Sequence, residues 1–190
     1  KEKLTITAKS QIWDRRTISL RYETATGRTP VFKTTGLCRV VKVTKTHVQV
    51  AEAFVLTSMS IFDGFISCWD EKYRSVRIRP ETVINNSIDK KWIPILQTPP
   101  FPEYTSGHST ISSAAATVLT KLYGDNVSFS DSTEIPYGLP PRKFTSFKQA
   151  ADEASVSRLY GGIHFRPALD QGVIQGAKVS NLLLAKIKTH

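Results

Sequence analysis

The sequence predicts an all-α fold, a bundle of helices joined by long proline-rich loops. Apolar residues recur at helical spacing in several segments, and capping signals stand where those segments begin and end. The ten prolines of the chain fall mostly between these segments. A chain of 190 residues suits one domain with a core of its own. We therefore predict an irregular N-terminal segment, residues 1–46, followed by a helical core domain, residues 47–190.

The first predicted helix covers residues 48–69, where apolar residues occupy a broad arc that predicts burial on most sides. Residues 80–105 contain five prolines and are predicted to form a long ordered loop without helix. A second helix is predicted over residues 106–123, and Gly124 marks its C-terminal end.

The C-terminal part of the core is predicted to hold two more helices. Residues 124–145 are rich in proline, serine and aspartate and are predicted to form a loop. A capping box, in which Gln149 reaches back to Ser146, begins a helix over residues 146–160. The last helix is predicted over residues 167–187, with a proline in its first turn.

Composition argues against several classes of protein. The net charge is +10, but the basic residues are scattered, so we expect a basic surface and no nucleic-acid partner. No run of 18 apolar residues is present, so no transmembrane segment is expected. Cys38 and Cys68 have no metal-ligand spacing and define no disulfide framework.

Three clusters of chemically active residues lie at predicted helix boundaries, and the first follows the first helix. Within residues 72–80 there are four cations, Lys72, Arg74, Arg77 and Arg79. Basic residues near a helix C-terminus interact favourably with the helix dipole. A solvated helix cap is therefore the simpler interpretation of this cluster taken alone.

The second cluster is Ser106-Gly107-His108, at the start of the second helix. The free N–H groups and partial positive charge of a helix N-terminus favour an anion. Ser106 can cap the helix, Gly107 allows close approach to the backbone, and His108 can exchange a proton near neutral pH. A plain N-cap followed by a partly buried histidine is the alternative.

The third cluster spans residues 157–170 and contains Arg158, His164 and Asp170. A histidine with an orienting carboxylate is a possible nucleophile or base. The alternative is a surface arginine and a loop histidine. Taken together, the three clusters supply arginine forks, a lysine, a helix N-terminus and two histidines, a set that suits a tetrahedral oxyanion.

These clusters resemble the signature shared by type 2 phosphatidic acid phosphatases, bacterial class A acid phosphatases and vanadium-dependent haloperoxidases. Lys72 and Arg79-Pro80 have the spacing of its first part. The second part corresponds to Ser106-Gly107-His108, and the third to Ser157-Arg158 with His164. The resemblance covers roughly residues 60–180 and implies the helical bundle of that superfamily.

The resemblance also implies roles for individual residues. Groups that would bind the oxygens of phosphate or vanadate are Lys72, Arg79, Ser106, Gly107 and Arg158. His164 would be the phosphorylated nucleophile of a phosphatase or the vanadium ligand of a haloperoxidase. His108 would be the acid–base group, and Asp170, six residues after His164, would orient that histidine.

Phe101, five residues before Ser106, matches an aromatic residue that lines the vanadate pocket of haloperoxidases, so this branch is favoured. Thr105 stands where the signature usually has proline. Members of this branch carry several helices before the lysine cluster, which residues 1–46 do not supply, so we expect an incomplete N-terminal part.

We therefore expect a haloperoxidase-like enzyme that uses vanadate, hydrogen peroxide and a halide. The first alternative is a phosphomonoesterase acting on a phosphoester, with His164 as nucleophile and His108 as general acid. The second is a non-catalytic protein that binds phosphate or nucleic acid. The resemblance further implies a periplasmic or exported location, and a homo-oligomer is possible; the halide is not determined by the sequence.

Overall fold

The structure is a computed structural model, and it describes residues 3–10, 16–23, 31–35, 43–44, 47–131 and 140–188. The five α-helices of these residues are α1 (His47–Ser75), α2 (Pro80–Ser87), α3 (Gly107–Tyr123), α4 (Phe147–Tyr160) and α5 (Arg166–Lys186). Their strands are β1 (Lys3–Ser10), β2 (Arg16–Glu23), β3 (Val31–Thr35), β4 (Val43–Thr44), β5 (Phe129–Asp131) and β6 (Arg142–Phe144). The mainly helical fold predicted from the sequence is confirmed.

Helix α3 lies at the centre of the bundle, where α1, α4 and α5 all pack against it. Most of its buried residues are small, including Ala114 and Ala115, which allow the neighbouring helices to come close. Helix α5 comes closest. A Cβ atom added to Gly172 would lie 2.9 Å from the Ser106 carbonyl oxygen, and one added to Gly176 would overlap the Thr110 carbonyl oxygen.

The ends of α3 follow from the residues that the sequence analysis identified. The Ser106 hydroxyl accepts a hydrogen bond from the Ser109 amide at 3.3 Å and so caps the N-terminus. Gly124 ends the helix at a φ of 96°, a conformation that favours glycine, and its amide donates to the Thr120 carbonyl.

The N-terminus of α4 is capped by Ser146, whose hydroxyl accepts from the Gln149 amide at 3.0 Å. The side chain of Gln149 reaches back one residue further than predicted. Its oxygen accepts from the amide of Thr145 at 2.7 Å, and the reciprocal contact of the capping box is therefore displaced by one position.

The predicted burial of α1 on most sides is wrong for the described residues. Ala53 and Leu56 are buried, but Val55 and Phe62 are 52% and 65% exposed. The reason is that, within residues 47–131 and 140–188, α1 packs against α3 and α5 with only one side of the helix.

The segment Ala51–Ser87, which includes most of α1 and all of α2, is long and apolar enough to cross a membrane by length and composition. A single helix of this kind is a weak indication, because core helices of proteins outside membranes pass the same test. The sequence-based expectation of no transmembrane segment stays a prediction.

Two segments predicted to be loops contain regular structure. Residues 80–105 begin with α2. A proline is compatible with this helix because Pro80 occupies its first position, where the missing N–H is not needed. Within residues 124–145, β5 and β6 pair in antiparallel fashion, with Phe129 opposite Phe144. These two rings are 5.4 Å apart, and packing of aromatic side chains across the pair stabilises it.

The N-terminal segment, residues 1–46, was predicted to be irregular, but its described residues 3–10, 16–23, 31–35 and 43–44 form strands. Strands β1 to β4 form an antiparallel sheet in the order β3-β2-β1-β4. Apolar residues alternate along both long strands, and the register pairs Leu4 with Tyr22, Ile6 with Leu20 and Ala8 with Ile18. The alternation is short and lies among polar residues, which is why it gave only a weak signal; the division at residue 46 stays a prediction.

Replacement of Gly176 by alanine is expected to lower the free energy of unfolding by roughly 1–3 kcal/mol, because the added methyl group meets the α3 backbone and forces α5 outward. Chemical denaturation would measure the change. Lys178→Ala, on an exposed position of the same helix, serves as the control and should change stability by no more than about 0.5 kcal/mol. Equal stability of both variants would show that α3 and α5 do not approach so closely.

Candidate active site

Five basic residues of the three sequence clusters lie together at one end of the bundle, whereas Arg74 and Arg77 of the first cluster are exposed. The pKa of His164 is held well below its usual value by burial and then by the positive groups of Arg79, Lys72, His108 and Arg158. These residues come from the end of α1, the N-cap of α2, the first turn of α3, the end of α4 and the loop before α5. Folding thus brings together residues that are up to 92 positions apart in the sequence, Lys72 and His164 being the ends of that span.

Lys72 is fully buried in the last turn of α1. Its ammonium group donates to the carbonyl oxygens of Pro102 and Glu103, at 2.9 and 3.0 Å. The pKa of Lys72 is lowered to about 8, chiefly by burial; the charge of Arg79 adds to the lowering, and Cys68 and Glu103 oppose it. The amine is therefore charged at neutral pH but loses its proton far more easily than a surface lysine.

Arg79 is the buried N-cap residue of α2, and backbone carbonyl groups hold its guanidinium. Its Nε atom donates to Phe101 at 3.1 Å, Nη2 to Pro102 at 3.3 Å and Nη1 to Ile163 at 2.7 Å. Nη1 also lies 3.0 Å from Nε2 of His164. Burial lowers the pKa of Arg79 to about 10, so the group keeps its charge at neutral pH.

Arg158 is buried in the last turn of α4. Its Nε and Nη2 atoms donate to the hydroxyl of Ser157 at 3.0 and 2.8 Å. Burial lowers the pKa of Arg158 to about 10. The hydroxyl contact orients the guanidinium fork without neutralising it.

Ser106 and Gly107 form the start of α3 beside these cations. The Ser106 amide donates to the Ala168 carbonyl at 3.0 Å, which ties the N-terminus of α3 to the first turn of α5. A Cβ atom on Gly107 would lie 3.3 Å from the ring of Trp69. A larger residue at 107 would press on this indole, and the glycine keeps the helix N-terminus close to it.

Aromatic rings line the cationic side of the site. The Lys72 ammonium lies 5.7 Å from the centroid of Trp69 and 5.3 Å from that of Phe101, and these two rings are 5.2 Å apart. The guanidinium of Arg79 lies 5.1 Å from Phe101. The sequence-predicted Phe101 therefore lies beside the cations, and Trp69, which the sequence analysis did not select, lies with it.

His164 has a different carboxylate neighbour from the one predicted. Its Nδ1 atom is 2.7 Å from Oε1 of Glu103, which is buried, and the same oxygen accepts from the Phe165 amide at 3.0 Å. Burial raises the pKa of Glu103, and the hydrogen bond from Phe165 and the charge of Arg79 oppose that shift.

The prediction that Asp170 orients His164 is wrong for this structure. Residues from Arg166 onward are wound into α5, and the winding turns Asp170 to an exposed position. There it lines a separate cavity of about 630 Å³ between α4 and α5, together with Asp152 and Glu153. The six other predicted site residues and both histidines come together; Asp170 does not.

Sequence reasoning missed Glu103 and Trp69 for physical reasons. Glu103 lies in the proline-rich loop, and its one signal was an acidic residue just before the Ser-Gly-His cluster. Trp69 shares the helical spacing of the core residues of α1, and it lies three residues before Lys72, so both project from the same side of the helix.

The donor set fits an oxyanion. Three buried cations and two histidines lie together. Among the described residues, Glu103 is a buried carboxylate beside them. Lys72 and Arg79 donate to neutral carbonyl groups, and Arg79 also contacts an imidazole, so the charge of Glu103 offsets only part of their positive charge. Because buried, uncompensated charge is unfavourable, a bound anion would stabilise the site.

Comparison with known proteins identifies the family. Residues 52–190 match the family described as the VCPO second helical-bundle domain, which is well over half of the chain. The chain therefore belongs to this family and to the vanadium-dependent haloperoxidase superfamily that its sequence signature resembles. Among curated proteins, none matches the chain.

Solved structures add a more specific likeness. The chain is 60% identical to a bacterial vanadium-dependent iodoperoxidase, with a TM-score of 0.71 over 74% of this chain and 34% of that one. Two structures of bacterial vanadium-dependent chloroperoxidase, holo-type and apo-type, share the fold. Their identities are 19% and 17%, and their TM-scores are 0.61 and 0.62. The matches to the chloroperoxidases cover 68% and 70% of this chain and 34% and 35% of those chains. This chain therefore spans about a third of the length of each of the three solved structures.

The affinity of the site for inorganic phosphate is expected to fall as the pH rises through about 8, because Lys72 then loses its charge. Phosphate keeps its charge between about pH 8 and 10, so the loss reports on the protein. If phosphate binds only when Lys72 carries its proton, the affinity falls by up to about tenfold for each pH unit above the pKa. Titration calorimetry across this range would measure it.

The control is Lys72→Arg, which keeps a positive charge over the same range and should bind phosphate with a much flatter pH dependence. Circular dichroism would verify that this variant folds. The same slope in both proteins would exclude Lys72 as the group responsible.

Proposed function

We propose that this chain forms the vanadate-binding part of a vanadium-dependent haloperoxidase, and that iodide is the halide it oxidises. The observation that carries the proposal is the cluster of Lys72, Arg79 and Arg158, which are buried together beside two histidines. Backbone carbonyl groups hold Lys72 and Arg79. Iodide is favoured by the 60% identity to an iodoperoxidase.

The residues divide the work of holding the oxyanion. Lys72, Arg79 and Arg158 would bind its oxygens, and Ser106 and the Gly107 amide would complete the set at the positive end of α3. His164 would contribute its Nε2 atom as the ligand. Bound vanadate would supply activation of hydrogen peroxide toward the halide.

Burial and aromatic contacts explain why these side chains would bind tightly. The low local dielectric strengthens the attraction between cations and an anion. Trp69 and Phe101 keep water from the ammonium and guanidinium groups and support their orientation. His108 is half-buried in the first turn of α3 and could hold or release a proton at the edge of the site.

The test is iodide oxidation by hydrogen peroxide, followed as triiodide absorbance with and without added vanadate. The wild-type chain is expected to oxidise iodide only when vanadate is added. The activity of Arg158→Ala should be lower by at least about 100-fold, because a buried charge contact is removed. Arg166→Ala, an exposed arginine eight residues later, is the control and should keep full activity.

Two results would contradict the haloperoxidase proposal. Activity that does not depend on vanadate would exclude the proposed cofactor. Equal activity of Arg158→Ala and Arg166→Ala would exclude the proposed binding group. Bromide and chloride in the same assay would test the halide preference separately.

A second candidate function is hydrolysis of phosphate monoesters, favoured by one observation. The pKa of His164 is well below its usual value, so the imidazole is neutral at physiological pH, and its Nε2 lone pair could attack phosphorus once the contact with Arg79 Nη1 is released. In this reaction Nε2 of His164 forms the bond to phosphorus as the ester oxygen leaves. His108 would protonate that oxygen, and water would later hydrolyse the phosphohistidine.

Hydrolysis of a chromogenic phosphate ester would test this function. His164→Ala should abolish the reaction, whereas His164→Ala rescued by added imidazole should recover part of it, because the free base replaces the missing nucleophile. Vanadate should inhibit the wild-type reaction. Hydrolysis that persists unchanged in His164→Ala would exclude this mechanism.

A further inference from the structure

We propose that Glu103 is the positioning residue of His164. It fixes the tautomer and the orientation of the imidazole so that the Nε2 lone pair faces the cations of the site. The inference depends on the proposed function only in taking His164 as the group that binds the oxyanion. The contacts that support it belong to the protein alone.

The tautomer follows from the two neighbours of the ring. Nε2 of His164 lies 3.0 Å from Nη1 of Arg79, and a guanidinium group can only donate hydrogen bonds. Nε2 must therefore accept, and it carries no proton. Nδ1 then carries the proton and donates it to Oε1 of Glu103 at 2.7 Å.

A charged imidazolium does not fit these neighbours, because its Nε2–H would point at an N–H of Arg79. The opposite neutral tautomer fails for the same reason. The contact geometry therefore selects a neutral ring with an unprotonated Nε2 atom, which is the state that a ligand or nucleophile requires.

Glu103 is itself held firmly at both ends. Its Oε1 atom accepts from the Phe165 amide at 3.0 Å as well as from His164. Its own amide donates to the Arg77 carbonyl at 2.9 Å, and its carbonyl accepts from Lys72 at 3.0 Å. The ring of His164 is thus clamped between a fixed carboxylate and Arg79, and its tilt is set before any anion binds.

The sequence signature places an orienting acidic residue shortly after the histidine, but in this chain the carboxylate comes from 61 positions earlier. It lies in the loop that also contacts Lys72 and Arg79 through its backbone. The same loop therefore sets the position of the cations and the state of the imidazole. Asp170, after His164, is exposed on α5 and lies outside this arrangement.

The first test is direct and needs no ligand. Long-range ¹H–¹⁵N NMR correlation of the intact wild-type chain would assign the His164 tautomer, with His164→Gln used to identify its signals. The expected result is a proton on Nδ1 and none on Nε2. A proton on Nε2 would overturn the proposal whatever the activity of the protein.

The second test is vanadate affinity, measured by titration calorimetry and by the ⁵¹V NMR shift of the bound ion. Glu103→Gln keeps the shape of the side chain but removes its charge, which makes the imidazole a weaker ligand. Its affinity is expected to fall by about 10–100-fold, with a changed ⁵¹V shift. Asp170→Asn removes the acidic residue that the signature favoured and should match the wild type in both measurements.

The outcomes separate this inference from the proposed function. Wild-type affinity and shift in Glu103→Gln, or weakened binding in Asp170→Asn alone, would overturn the role of Glu103. A wild-type chain that binds neither vanadate nor phosphate would contradict the proposed function, while the tautomer measurement would still decide on Glu103. If Glu103→Gln does not fold, the tautomer measurement on the wild-type chain still tests the proposal.

Discussion

Hydrogen bonds from two buried cations to one short loop are the interaction on which the rest of the site depends. Carbonyl groups of residues 101–103 accept from both Lys72 and Arg79. Proline supplies a carbonyl without a competing N–H, so a proline-rich loop offers acceptors in excess of donors. Neutral dipoles hold the two cations in place but leave their charge available. A carboxylate at each cation would have neutralised its charge and weakened its attraction for an anion.

The helices serve mainly to bring this loop and the other basic groups together. The Ser106 amide bonds to α5, and the two glycines of α5 let that helix come close to α3. The N-terminus of α3 is thereby fixed beside the loop that carries His164. Packing of small residues at the centre of the bundle thus has a direct consequence for the geometry at its end.

Membership of the superfamily and the geometry of the site support each other, but they rest on different observations. The family match covers residues 52–190, which include the whole cationic cluster. The geometry adds what the match does not contain, namely that the carboxylate beside His164 belongs to the loop and not to α5. An orienting group can change its place in the sequence if the fold returns it to the same nitrogen atom.

The sequence by itself determined the four long helices, their caps at Ser106 and Ser146, the end at Gly124 and the family signature. These features depend on neighbours within a few residues, so local patterns are sufficient to reveal them. It did not reveal the exposed side of α1, the β5–β6 pair or the strands before residue 46, where pairing and burial depend on partners far along the chain. Only the tertiary structure decided that Glu103, and not Asp170, contacts His164. Distance in the sequence says little about distance in space once a loop crosses between helices, and the turn of α5 alone carries Asp170 away.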